Sequence, residues 1–476
     1  MTTLPPEQPQ AAPAAVPPPG CPAHGLYAEG LQQLHSPKAV ENTRQLYEDL
    51  RATYGAVAPV EIPGGVRAWL VLGHRENLEV LRTPSRFSAD SRLWRDSKLL
   101  SPAHPLAPLI AWQPLVNFAE GDEQRRLRAA VNASLAKFNS IGIRRRIQHI
   151  ASTLIDGFCG DGHADLVAQY AQQLPMLTMM RLLGVPEDTA PKLIAACQDL
   201  IAGTETAAAS NQFVMEILQN LVTARKASPE NDLPSFLIEH EARLSDTEVA
   251  EHLRHTLVAA HSTTSVLLAD TIEVYLTDSA TRGSLSGSTQ TLEASVDHIL
   301  WERPPLAVLP ARYATGPTKL AEQTIEEGDM VLMGLAAGNA DPQVRPDPTA
   351  PMHGNRSHLA FSGGGHECPG QNIGRAIVET ACDVLLTRLP DVRIAGETQR
   401  VFTWMAHPLI TLPVEFTRKP PQAASADPAT APAAHVAAPQ PAAVPVAQPH
   451  PVPQQPSLAP AAAPAKVSWW RRLLRW

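Results

Sequence analysis

The sequence predicts a mainly α-helical fold with a minor β portion, in one large domain. Three observations carry that expectation. Amphipathic helical patterns recur through most of residues 26–419 of the 476-residue chain, between two Pro/Ala-rich segments. One stretch, from Ser245 to Thr277, runs without a single Gly or Pro. The β-rich runs are few and short.

In chain order, residues 1–25 ("MTTLPPEQPQAAPAAVPPPG" and onward) are Pro/Ala-rich and read as disordered. They carry neither the basic start nor the apolar run of a signal peptide. The folded body is expected over 26–419. Its clearest β pattern is "VAPVEIPGGVRAWLVLG" (Val57–Gly73), two β-rich runs flanking Gly64-Gly65 and read as a hairpin. Helices are expected at 122–137, 143–158 and 164–184, with two or three more before 243. The next opens with Ser245 and Glu248 in capping-box spacing and continues for roughly thirty residues. Short β-like pieces follow near 306–315, 319–325 and 330–335, and a last helix runs from Gly370 to about Arg388. Residues 420–465 form a Pro/Ala-rich linker with almost no charge, and 466–476 ("KVSWWRRLLRW") are a separate cationic, Trp-rich tail. No repeat at solenoid periods is visible.

The net charge of −8 gives no global basic field, so nucleic acid is not an expected partner. Five scattered cysteines, Cys21, Cys159, Cys197, Cys368 and Cys382, read as free thiols of a reducing cytoplasm. No run is long and apolar enough to span a bilayer.

Three features carry chemistry. In "HLAFSGGGHECPG" (His358–Gly370), Cys368 follows three glycines and precedes Pro369-Gly370. Glycines let the backbone turn toward the sulfur and let a flat cofactor approach. The following helix aims its positive end at the site, and backbone N–H groups with a metal would keep a thiolate deprotonated. Phe361 is placed to pack beside that ligand, and His366 to reach an anionic group of a cofactor. Zinc, a redox or nucleophilic cysteine, and a thiol kept for packing are the competing readings. His353, His358, His366 and Cys368 lack the paired spacing of a structural zinc site. Second, His261, Ser262, Thr263 and Thr264 interrupt an apolar run inside the long helix. Hydroxyls bonding back to carbonyls four residues earlier can distort a helix into a polar notch; the competing reading is a solvated stripe. Third, Arg125, Arg126 and Arg128 on one helix, and Arg312 in a β-like stretch, could hold carboxylates or simply face water.

Together these residues resemble the cytochrome P-450 family of haem-thiolate monooxygenases, over roughly residues 26–418. The loop matches F-x-x-G-x-x-x-C-x-G as Phe361, Gly364, Cys368 and Gly370, with His366 two residues before the cysteine. "GLAAGNADPQVRPDP" is similar to the family's segment before that loop, and the closing "PLITLPVEF" fits too. "AAHSTT" resembles the oxygen-activating helix, with Thr263 at the threonine position. The resemblance implies haem b with Cys368 as the iron ligand. It implies His366, Arg128 and Arg312 as propionate partners, and Thr263 as the hydroxyl that relays protons, with Ser262 and His261 beside it. It also implies dioxygen, a small organic substrate and a ferredoxin-type electron donor.

Three positions depart from the family pattern. Ser262 stands where an acid usually precedes the threonine, and Gln124 where a histidine often lies four residues before Arg128. In "ASVDHILWERPP" the family's E-x-x-R pair falls on His298 and Trp301, which cannot rebuild a Glu–Arg ion pair; Asp297 keeps an acid one place early and Arg303 lies two places late. The chain thus resembles a bacterial subgroup lacking that pair. Trp301 is expected to fill the lost pair's space by packing.

The expected function is a monooxygenase. The rival is a P-450-fold haem protein that does not hydroxylate, a sensor or accessory subunit of a membrane-associated assembly; Ser262 and the missing pair favour it. In the tail, Trp469, Trp470, Leu473, Leu474 and Trp476 gather on one side of a helix and Arg471, Arg472 and Arg475 on the other. That pattern suits an anionic membrane surface or a protein partner. The protein is therefore expected in the cytoplasm, either free or peripheral on the inner face of the membrane.

Overall fold

The computed structural model describes residues 25–26, 30–100, 104, 106–138, 140–202, 205–278 and 291–422. The Pro/Ala-rich start to residue 24, the linker from 423 and the tail expected at 466–476 lie outside the described residues.

The strands expected around Gly64-Gly65 form as β2 (Val57–Ile62) and β3 (Val66–Val71), paired antiparallel from Val57↔Val71 to Ile62↔Val66. Gly64 and Gly65 both sit at positive φ, 82° and 72°, which is why the turn takes glycine there. β1 (Gln32–Gln33) extends this sheet on one side. On the other side come β9 (Met330–Gly334), β6 (Val308–Ala314) and β4 (Phe87–Ser88), in the order β1-β2-β3-β9-β6-β4. β7 (Thr318–Leu320) and β8 (Gln323–Ile325) form a separate two-stranded ribbon.

The longer helices are α1 (Thr43–Tyr54), α2 (His74–Arg82), α3 (Gly121–Ala136), α4 (Ser140–Asp156), α5 (Gln173–Leu183), α6 (Ala190–Ala202) and α7 (Ala207–Ala227). They continue with α8 (Leu233–Glu239), α9 (Asp246–Thr277), α10 (Leu292–Glu302) and α11 (Gln371–Arg388). α9 starts with the capping box read from the sequence: Ser245 Oγ accepts from the Glu248 N–H, and the Glu248 carboxylate accepts from the Ser245 N–H.

One helix differs from expectation. The stretch 164–184 opens with β5 (His163–Asp165), which pairs with β13 (Pro413–Glu415). Val167–Ala171 then follow with an i→i+5 bond from the Gln172 N–H to the Val167 carbonyl at 3.0 Å, and only then does α5 begin. Pairing with a strand some 250 residues away overrides local helical pattern.

α9 is the central element. Leu267, Leu268 and Ile272 pack with Ile147 and Ile155 of α4 and with Ile377, Val378 and Leu385 of α11 in one core. Val249, Leu253 and Leu257, nearer its start, pack with α5, α6 and α7 in a second. Further cores lie on the two faces of the six-stranded sheet. α9 therefore passes between the helical cores, and α11, which follows the cysteine loop directly, packs on it.

Candidate functional site

The loop from His358 to Gly370 is tied to its surroundings by backbone groups. The Cys368 N–H donates to the Phe361 carbonyl at 2.9 Å. Gln124 of α3 donates from Nε2 to the Gly365 carbonyl at 2.7 Å, and Arg128, one turn on, donates from Nη2 to the Glu367 carbonyl at 2.5 Å. The position where the family often has a histidine thus carries an amide that holds the loop itself. Phe361 is half-buried, its ring 5.7 Å from that of His358.

Among the described residues Cys159, Cys197 and Cys382 are buried free thiols, whereas Cys368 is only partly covered. Burial pushes the Cys368 thiol up, while the Gly370 and Gln371 N–H groups and the Arg128 charge pull it back. Backbone donors at the start of α11 thus point at this sulfur and suit an anionic ligand. The glycines serve differently from the expectation. A Cβ on Gly364, which has φ +68°, would stand 2.4 Å from the Leu81 carbonyl oxygen, so this glycine lets the loop lie directly on the end of α2. Gly370 is the one beside the sulfur, where a Cβ would sit 3.9 Å from Sγ.

His366 and Arg312 converge on one carboxylate that sequence reasoning missed. Glu120 Oε1 lies 3.4 Å from His366 Nε2 and accepts from the Ala89 N–H at 2.7 Å. Burial alone would raise Glu120, but His366 and the Ala89 N–H outweigh it and hold this carboxyl below its usual range. Arg312 is buried, its only described hydrogen bond running from Nη1 to the neighbouring Ala311 carbonyl at 3.0 Å. Burial lowers the Arg312 pKa, and the Glu120 charge opposes that. Burial pushes the His366 imidazole down, so the positive charge here is that of the buried Arg312 guanidinium, which can take further carboxylates. Glu120 immediately precedes α3, where an acid reads as an ordinary helix-start residue, so nothing in the sequence singled it out.

On α9, Ser262 and Thr263 are half-buried within a stripe that also includes His255, Ala259 and Val266. Positions seven residues apart return to the same face, so the stripe is continuous. Thr263 Oγ1 donates to the Ala259 carbonyl at 2.8 Å, and Ser265 Oγ to the His261 carbonyl at 2.7 Å. The expected distortion does not follow: α9 runs unbroken through these residues, because the hydroxyls share carbonyls already bonded in the helix. His261 is separated from the pair. It is buried, its Nε2 is 3.2 Å from the Gln172 carbonyl, and burial pushes it down to about 4. Two residues on a helix are some 200° apart, which turns His261 away from the face carrying Thr263. Thr264 faces α11: a Cβ on Gly374 would meet its Oγ1 at 3.6 Å. α9 and the cysteine helix therefore pack directly at Thr264, some 200° round α9 from Ser262.

At the departure from E-x-x-R, Trp301 is buried, as expected, and donates from Nε1 to the Asn355 carbonyl at 2.9 Å. His298 accepts from the Met352 N–H at 3.3 Å. An ion pair is nonetheless present in this region. Asp297 lies 2.5 Å from Arg375 of α11, and both are buried. Arg303 is occupied elsewhere, with Glu273 of α9 at 2.6 Å. Arg375 was not singled out, since a basic residue inside a helix does not announce a buried partner.

A partly covered thiol with N–H donors aimed at it, a buried arginine beside an imidazole and a carboxylate, and a helix bearing hydroxyls fit a haem-thiolate protein. Comparison with known proteins agrees. The chain is 30% identical over 337 residues to cytochrome P450-SU2 of Streptomyces griseolus, covering 70% of this chain and 82% of that one. It is 29% identical over 384 residues to mycinamicin IV hydroxylase/epoxidase of Micromonospora griseorubida, covering 78% and 94%. The structure of CYP154A1 from Streptomyces coelicolor superposes with a TM-score of 0.72 at 25% identity, covering 81% of this chain and all of that one. No family model matches. The chain belongs to the cytochrome P450 family. It is an oxidoreductase of the monooxygenase type, and its cofactor is haem b.

Proposed function

We propose that the protein inserts one atom of dioxygen into a small organic molecule. The other atom leaves as water, with two electrons from a ferredoxin-type donor and two protons completing the balance. The observation that carries this reading is the Cys368 sulfur with the Gly370 and Gln371 N–H groups aimed at it, on a loop whose following helix α11 packs against α9. Haem, when bound, supplies dioxygen activation, and a thiolate ligand favours O–O cleavage.

The chain's own residues then have distinct tasks. Cys368 supplies the thiolate, steadied by the N–H groups of Gly370 and Gln371. Arg312 supplies positive charge for propionates with the His366 imidazole beside it, and Arg128 and Gln124 fix the loop backbone. The Thr263 hydroxyl proton is committed to the Ala259 carbonyl, so its oxygen keeps the capacity to accept a proton from an ordered water. Ser262 adds a second hydroxyl without a carboxylate's charge.

The test is the reduced carbon monoxide spectrum together with coupling. Wild type should show the strongly red-shifted Soret band of thiolate ligation, and Cys368→Ala should lose it. Electrons from a ferredoxin should be consumed in step with product. An unchanged spectrum in Cys368→Ala would overturn the ligand assignment. Electron consumption that never yields product, across a broad substrate panel, would favour the non-hydroxylating alternative.

A further inference from the structure

We infer that Asp297 is a positioning residue that holds both legs of the Cys368 loop, in place of the family's E-x-x-R pair. The inference rests on the haem-thiolate reading above.

Asp297 is 1% exposed and reaches chain on both sides of the cysteine. Its Oδ1 lies 2.5 Å from Nη1 of Arg375, seven residues after Cys368 on α11. Its Oδ2 lies 3.5 Å from Nε of Arg356, and Nε2 of His358 is 3.9 Å from Oδ1; both precede the cysteine on the entering leg. Burial pushes His358 down to about 4, so the imidazole stays neutral and the charge balance is carried by the arginines. One turn along α10, Trp301 bonds the Asn355 carbonyl of the same entering leg. Residues four apart share a helix face. Asp297 and Trp301 therefore grip the loop together, one by charge and one by an indole N–H, whereas His298 turns toward Met352 and His353.

The connection extends beyond α10. Arg375 Nε lies 3.6 Å from Glu379, and Glu379 lies 2.7 Å from Arg144 of α4. Arg144 also donates to Thr380 at 3.2 Å. α4, α10, α11 and the entering leg are thus joined through one chain of charges, buried at Asp297, Arg375 and Glu379 and exposed at its ends, Arg144 and Arg356. Within it, Asp297 is the group that contacts both legs. Without its carboxylate, the buried Arg375 would keep the more distant Glu379 and a long bond to the Glu293 carbonyl, and the start of α11 would lose its charged link to the entering leg.

The experiment compares wild type, Asp297→Asn, Asp297→Glu and Asp297→Asn/Arg375→Met as full-length haem proteins. It reads the reduced carbon monoxide band well below the melting temperature, and haem transfer to apomyoglobin. Asp297→Asn should move most of the band from the thiolate position to the blue-shifted position of a lost or protonated thiolate. Haem transfer should accelerate about tenfold, the scale of removing an outer partner of a metal site. Asp297→Glu should restore most of the thiolate band. The double variant removes both buried charges and should fold even where Asp297→Asn does not, with the band still shifted. A wild-type band and transfer rate in Asp297→Asn, whatever its melting temperature, would overturn the inference alone, as would a full thiolate band in the double variant. A wild-type protein without the thiolate band would overturn the haem-thiolate reading along with it.

Discussion

At the scale of single residues, Gly364 and Thr263 show how much depends on one atom. Gly364 combines φ +68° with a backbone oxygen 2.4 Å from where a Cβ would stand. Gly364→Ala should therefore cost more than the roughly 1–2 kcal/mol of a left-handed alanine, and a thermal melt of the haem protein would register the loss. Gly365, where the nearest atom lies 3.6 Å away on the flexible Gln124 side chain, should accept alanine with a smaller change. Thr263→Ala removes the acceptor oxygen on the half-exposed face of α9. Product per electron should fall and hydrogen peroxide should rise, measured as the ratio of product to reductant consumed. Ser262→Asp should be tolerated and should raise that ratio, since it supplies the missing acid. Unchanged coupling in Thr263→Ala would move the proton route to ordered water, because His261 is turned toward Gln172.

At the scale of elements, α10 and α9 each carry a test. Trp301 is 2% exposed, stacked 6.0 Å from His74 and edge-on to His358. Trp301→Ala should lower stability by about 3–5 kcal/mol, as large core truncations do, seen by chemical denaturation. On α9, Asp270 meets Arg400 at 2.8 Å, yet burial pushes its carboxyl up to about 6. A raised folded-state pKa means the native state holds a proton that the unfolded chain has lost. That contribution is complete below the unfolded value near 4 and disappears as pH rises through 6. The stability of wild type relative to Asp270→Asn should therefore decline by on the order of 2–3 kcal/mol from pH 4 to pH 7. A pH-independent difference would show that Arg400 keeps Asp270 ionised throughout. These elements also mark what the sequence made legible. The Gly64-Gly65 hairpin, the capped α9 and the helix after Cys368 were readable because their signals are local: turn glycines, a capping box, a helix between clear breakers. β5 was not, because its strand character comes from β13, and the Asp297–Arg375 pair was not, because its partners lie 78 positions apart. The Cys368 loop was readable as a cofactor site only through its combined residues; the purpose of Gly364 needed the position of Leu81.

At the scale of the whole molecule, the described residues contain no helix long and apolar enough to cross a membrane. Membrane contact would fall to the tail "SWWRRLLRW", whose Trp/Leu and Arg residues separate to opposite sides at helical spacing. Full-length protein should float with anionic liposomes, less so as salt screens the arginines, and a chain ending near Pro420 should not. Equal flotation of both chains, or of neither, would exclude the tail as an anchor. The bond between Gln124 and Gly365 has a consequence of another kind, for the order in which a ribosome delivers the parts. Its two ends are 241 positions apart. At bacterial or eukaryotic synthesis speeds the interval is roughly 12–50 s. During that time α3 has been made but the loop it steadies has not, and β5 waits longer still for β13. Haem capture is thus a late event in the life of each new chain. Haem supply should therefore alter the yield of finished protein, and α4 too must wait for α11, with which it shares a core.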